Sequence, residues 1–142
     1  MRIYLAARYP RRSEMLGYAM QLEELGHTVT ARWIKGSHLI SDDELNSGET
    51  YRMLGERYAL EDLADVGSAD ILICFTDEPR TAVSSSRGGR HVELGVALMA
   101  GKGVWLVGPI ENAFHCLSSI RRFDSWDDAL RALEEERIEW SR

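Results

Sequence analysis

One run of five residues constrains this chain more than any other. Ile71-Leu72-Ile73-Cys74-Phe75 carries no polar side chain. A strand with one wet face alternates apolar and polar residues. An unbroken apolar run instead fits a strand covered on both faces, as in parallel sheets flanked by helices. Two similar runs exist: residues 2–7, where Ile3 to Ala7 lie between arginines, and Val104–Val107, stopped by Gly108-Pro109. Residues His27–Trp33, with Val29 and Ala31 on one side, suggest a further strand.

Between these runs the apolar period changes to that of a helix. Met15, Leu16, Ala19, Leu22 and Leu25 recur at helical spacing before Gly26, a C-cap signal. Residues 51–66 repeat the pattern, with Tyr51, Leu54, Tyr58, Leu63 and Val66 as candidate core positions. An apolar helix over 91–100 closes at Gly101, and an amphipathic one over 125–138 turns Trp126, Ala129, Leu130 and Leu133 inward behind Ser125 as N-cap. Residues 36–50 form a polar excursion in which Ser41-Asp42-Asp43-Glu44 offers a capping-box start. Strands alternating with helices predict an α/β fold: three layers around a five-strand, mostly parallel sheet, flavodoxin-like or Rossmann-like. The 142 residues suit one domain, spanning 1–142.

Composition narrows the function. Apolar residues make up 44% and charged residues 28%, which excludes a disordered chain. The 17 Lys+Arg against 23 Asp+Glu give a net charge of -6, unsuited to nucleic acid polymers, whose affinity comes mainly from phosphate neutralisation. Cys74 and Cys116 fit no paired zinc or redox spacing and read as reduced thiols of a cytoplasmic protein. The apolar start is too short for a signal segment, and no stretch is long enough to span a bilayer.

In an open α/β sheet, ligands bind beyond the carboxyl ends of the strands. The loop 77–90 lies there. Ser84-Ser85-Ser86-Arg87-Gly88-Gly89-Arg90 places hydroxyls, guanidiniums and two glycines just before a helix, a pattern that fits either an anion site or a solvated loop. Glu93 follows in the first helical turn. It reads equally as an acid complementing the helix dipole or as a nucleophile for an acetal carbon. His91-Val92-Glu93 is half of a zinc deaminase signature, but the Pro-Cys-x-x-Cys half is absent. No dinucleotide fingerprint or phosphate-binding Walker loop is present, so neither cofactor nor metal is expected.

Four pieces in order carry a resemblance: Ile3-Tyr4-Leu5-Ala6; Asp62-Leu63 followed by Ala69-Asp70-Ile71; Glu93-Leu94-Gly95-Val96-Ala97 ending in Gly101-Lys102; and Val104–Val107 running into Pro109. Together they resemble the nucleoside 2-deoxyribosyltransferase family and its hydrolytic relatives, the deoxynucleoside 5'-monophosphate N-glycosidases. The resemblance implies that Glu93 attacks C1' and forms a glycosyl-enzyme intermediate. It implies that Tyr4 orients that carboxylate, and that Asp62 binds the base and helps protonate its leaving nitrogen. Asp70 reads as a cap before its strand. Where the free-nucleoside transferases place an aspartate ahead of the nucleophile, this chain has Arg87 in a run of serines. Ser86 or Arg87, with Gly89, would then bind a 5'-phosphate. Arg8 and Arg11, after the first strand, fit either further phosphate ligands or solvated surface charge, the latter favoured slightly for Arg11.

The family completes each site from a neighbouring subunit. By position that residue would be Ser118, with Asn112 and His115 nearby; a core histidine is an alternative for His115. Trp33 fits either core packing or base stacking. The expected partners are therefore a small nucleoside or nucleotide and a second copy of the chain, as a homodimer or higher homo-oligomer. The reaction implied is N-glycosidic cleavage of a nucleoside 5'-monophosphate. Deoxyribosyl transfer between bases and a non-catalytic nucleotide sensor are the alternatives.

Overall fold

The computed structural model describes residues 1–36, 48–76 and 88–140. The strands are β1 (Arg2–Ala6), β2 (Thr28–Val29), β3 (Ile71–Phe75), β4 (Gly103–Val107) and β5 (Ile120–Phe123). The helices are α1 (Arg12–Glu24), α2 (Glu49–Gly67), α3 (Gly89–Met99) and α4 (Trp126–Trp140). Short 3-10 turns occupy Tyr9–Arg11, Arg32–Ile34 and Ala113–Cys116. The sheet order is β2-β1-β3-β4-β5 and every pairing is parallel, which is the flavodoxin-like order.

Register decides what each face receives. Tyr4, Leu72 and Val104 stand in one row, and Ala6, Cys74 and Leu106 in the next row on the same face. Leu5, Ile73 and Trp105 point the other way, as do Phe75 and Val107. The chain steps from β1 outward to β2, then returns past β1 to β3 and β4. Right-handed crossovers therefore put α1 on one face and α2 with α3 on the other. Tyr18 of α1 stacks on Trp126 of α4 at 4.5 Å and on Phe75 at 5.5 Å, so α1 and α4 share a face. Tyr4 reaches Glu93 of α3 across the opposite face.

Several local expectations need correction. The strand expected over His27–Trp33 shrinks to Thr28–Val29. The Thr30 N–H still bonds to Ile3 O at 2.9 Å, but the Arg32 N–H turns to the Asp65 carboxylate and leaves the ladder. Trp33 is buried and donates from Nε1 to Leu5 O at 2.9 Å, which makes it core rather than a stacking platform. On α2, Val66 is buried and Leu54 and Tyr58 are half-buried, but Tyr51 and Leu63 lie on the exposed side. Gly89 and Arg90 belong to the first turn of α3 rather than to a loop; Gly88, at φ +79°, makes the left-handed step that starts the helix. β5 carries no periodic signal in the sequence. Ile120-Arg121-Arg122-Phe123 is an edge strand whose two arginines hide its pattern. The capping box at Ser41–Glu44 and the loop residues 77–87 lie outside the described residues.

The order of the strands fixes where a ligand can go. The connections leaving β1 and β3 run in opposite directions, so a crevice opens at their carboxyl ends. Beside it, β3 and β4 exit together. Gly108 has φ +116°, and a Cβ there would meet Thr76 Oγ1 at 2.5 Å, so only glycine lets the two exits approach. The Thr76 hydroxyl then donates to Pro109 O at 2.6 Å.

Candidate active site

Three elements deliver three acidic side chains to the α2/α3 face. Tyr4 sits mid-strand on β1 and is fully buried. Its hydroxyl donates to Oε2 of Glu93 in the first half of α3. Asp62 on α2 is near enough for its charge to act on both. The next row of the same face holds Ala6 and Cys74, two small side chains, between Tyr4 and the carboxyl edge of the sheet.

Burial and mutual repulsion shift all three groups. Glu93 is pushed up to about 8: burial raises it, the Tyr4 hydrogen bond opposes this, and Asp62 and Asp65 add to the rise. Asp62 goes up to about 7 through burial and the neighbouring Asp65 and Glu61, with Arg32 pulling the other way. Tyr4 is held far above the usual phenol range by burial and by Glu93, so it stays a donor. Two carboxyls in one field cannot both ionise cheaply, so the site keeps a proton near neutral pH. Buried Cys74, beneath them, is raised to about 12 by burial and stays a thiol.

The remaining predicted residues fall in different places. Arg8 is half-buried where the chain leaves β1, and Gly89 is exposed at the start of α3. Ser86 and Arg87 lie outside the described residues. Asn112 caps the turn after β4, its Oδ1 accepting the Phe114 N–H at 3.0 Å. His115 is buried in that turn; its Nδ1 accepts the Glu111 N–H at 3.1 Å, and its Nε2 lies 3.3 Å from Asn112 Nδ2. Ser118 is exposed beyond the turn. The structure thus brings together Tyr4, Asp62 and Glu93, and separately groups Asn112 with His115.

Arg90, grouped in the sequence with the guanidiniums of the anion-site loop, is instead tied to Glu111, which the sequence did not signal. Arg90 donates from Nη2 to Glu111 Oε2 at 2.8 Å, and His91 Nε2 lies 3.3 Å from the same oxygen. This pair fastens the first turn of α3 to the segment after β4. Asp65 was missed although it stands three residues from Asp62 on one side of a helix, a spacing that could have flagged it.

A cavity of about 370 Å³ opens on the opposite face, lined by Arg11, Tyr18, Phe75, Thr76, Gly108 and Trp126 among others. None of Tyr4, Asp62 and Glu93 lines it, so it is separate from the acidic site. Among the described residues no group of His, Cys, Asp and Glu is set to hold a metal ion, and no helix is long and apolar enough to cross a membrane.

Solved structures share this fold. A CMP N-glycosidase from Clostridium botulinum matches with a TM-score of 0.56 at 22% identity, over 94% of this chain and 98% of its own. A 2-deoxyribosyltransferase from Bacillus psychrosaccharolyticus matches with a TM-score of 0.62 at 23% identity, over 92% of this chain and 90% of its own. The likeness is one of fold along almost the whole of each chain. No family model and no curated protein sequence matches.

Proposed function

We propose that this chain belongs with the nucleoside 2-deoxyribosyltransferase-like enzymes and cleaves the N-glycosidic bond of a nucleoside 5'-monophosphate, most readily of a 2'-deoxynucleotide. The observation that carries this reading is the hydrogen bond from Tyr4 to Glu93, made inside a buried acidic site one row in from the carboxyl edge of the sheet. Glu93 attacks C1' as its bond to the base nitrogen breaks, and Asp62 gives its proton to that nitrogen. Water then attacks C1', Glu93 leaves as a carboxylate, and the water proton returns to Asp62. This is the retaining double displacement. It needs Glu93 ionised and Asp62 protonated; because Glu93 is pushed higher than Asp62, the reacting form is the minor of the two one-proton states of the pair. The Tyr4 hydroxyl favours the ionised form on Glu93 because it donates to the charged oxygen. The serines and arginines ahead of α3, with Arg8, would receive the phosphate.

The shared fold with a CMP N-glycosidase supports cleavage of a nucleotide. The shared fold with a deoxyribosyltransferase supports a second reading, transfer of the sugar to another base. Incubating the protein with mixed nucleoside monophosphates, with and without free bases, and weighing the products by mass spectrometry tests both. Free base and sugar phosphate support cleavage; exchanged nucleotides support transfer; unchanged substrates defeat both.

A second copy of the chain is proposed to complete the site. Exposed Ile110, Phe114 and Leu117 flank Ser118 after β4, an apolar surface of the kind a subunit covers. Light scattering should give at least the mass of a dimer, and a monomer at working concentration would oppose a shared site.

A further inference from the structure

The stretch of α2 that carries Asp62 is fastened from outside the site. Asp65 is buried. Its Oδ2 accepts the Arg32 backbone N–H at 2.9 Å and its Oδ1 accepts Arg32 Nε at 2.8 Å. The Thr30 hydroxyl donates to the Asp65 carbonyl at 2.9 Å, and the Arg32 guanidinium lies 3.6 Å from Glu61 Oε1. The Thr30 N–H is itself bonded to Ile3 O, beside Tyr4 on β1. A chain of hydrogen bonds therefore runs from β1 through the turn after β2 to α2, and it grips α2 on both sides of Asp62.

Apolar contacts alone permit a helix to roll about its axis, since one methyl group substitutes for another. A carboxylate that accepts from a fixed main-chain N–H and from a guanidinium at once permits little roll. Asp62 lies three residues before Asp65, so both project from the same side of α2. We propose that Asp65, gripped by Arg32, is a positioning residue: it sets the rotation of α2 that turns Asp62 toward Tyr4 and Glu93, and it keeps a negative charge beside Asp62.

This rests on the reading of Asp62 as the group that protonates the base. The charged and titratable groups acting at Asp62 are Asp65 and Glu61 of α2, Arg32 of the turn after β2, Tyr4 of β1 and Glu93 of α3. Arg32 is the cation of this set, and its Nε is engaged by Asp65. Asp65 therefore does two things: it helps Asp62 retain a proton through its own charge, and it occupies the cation that would draw the proton off. Neither task requires contact with substrate.

The test is titration of the Asp62 carboxyl by carbon NMR in the wild type, Asp65→Asn and Arg32→Gln, with base release followed against pH in the same samples. Asp65→Asn should lower the Asp62 midpoint by about one pH unit, because a neighbouring negative charge is gone. Arg32→Gln should raise it, because the opposing cation is gone. The alkaline limb of base release should move in the same directions. A merely structural role would lower the rate without moving the midpoints in opposite senses. Midpoints unchanged in both variants overturn the proposal. Arg32→Gln leaves Asp65 and its main-chain hydrogen bond in place, so it decides the matter alone if Asp65→Asn does not fold. Absence of base release from the wild type would count against the proposed reaction, a result distinct from the midpoints.

Discussion

On the α1/α4 face, Tyr18 stacks on both Phe75 and Trp126, which are tilted to each other, with ring centroids 4.5 to 5.8 Å apart. On the α2/α3 face of the same sheet, Tyr4 meets Glu93 and feels the charge of the acids of α2. Both faces are covered by helices, and Phe75, Trp126, Tyr4 and Glu93 are largely withdrawn from water. The faces differ in what that withdrawal does. Stacked rings gain from it, by about 0.5–1.5 kcal/mol per pair beyond their area. Buried carboxyls lose by it and answer by holding protons. The first face therefore contributes stability, and the second holds the shifted groups that the proposed reaction would use.

The comparison breaks most readily at Phe75. Phe75→Ala is expected to cost about 3–5 kcal/mol in unfolding free energy, with base release per folded molecule unchanged. Denaturant unfolding alongside rate measurement checks both. A rate loss per folded molecule as large as that of a site variant would dissolve the division between the faces.

Tyr4→Phe keeps the ring and removes only the donor. Base release should fall roughly ten- to a hundredfold, about 1.4–2.7 kcal/mol of barrier, with little change in melting temperature. Without its donor the Glu93 carboxyl rises further. The acid limb of the pH–rate profile should therefore move to higher pH, and a limb that stays in place or moves down would separate Tyr4 from Glu93.

The acidic face should also leave a signature in stability. Glu93 and Asp62 titrate above their ordinary values, so the folded protein holds protons that the unfolded chain has released. Stability then falls as pH rises from the ordinary glutamate value of 4.5 through about 8. Glu93→Gln should flatten the Glu93 part of that slope, as melting temperatures across the range would reveal. A slope equally steep in the variant would assign it elsewhere.

The smallest expected effect lies on the packed face. Ser125 Oγ accepts the Asp128 N–H at 3.2 Å at the start of α4. Ser125→Ala should cost about 1 kcal/mol and leave the pH–rate profile untouched. Any shift of that profile would mean that the faces are coupled.

Much of this was legible in the sequence because burial on both sides of a strand leaves a plain mark. Ile71–Phe75 announced a central parallel strand, and its alternation with helices announced the layers. Tyr4, Asp62 and Glu93 were singled out by the family resemblance that four motifs carry in their order, and the structure places the three on one face. What escaped notice were residues whose meaning depends on a distant partner. Asp65, among other acids on a half-exposed helix, looks like solvated charge until Arg32 meets it. Arg32 itself read as part of a strand. Arg121 and Arg122 disguised β5, though Arg121 lies over Trp105 at 5.0 Å and pairs with Glu136. Arg90 looked like loop charge until Glu111 met it from beyond β4. Periodicity reports what one element does by itself; an ion pair between elements has no period.

The central claim is that the Glu93 carboxylate takes the sugar. Base release from a nucleoside monophosphate by the wild type and by folded Glu93→Ala, measured side by side, tests it most directly. The account expects release by the wild type and a loss of roughly a thousandfold or more in the variant, the scale of removing a covalent nucleophile. Release by Glu93→Ala at the wild-type rate would contradict it.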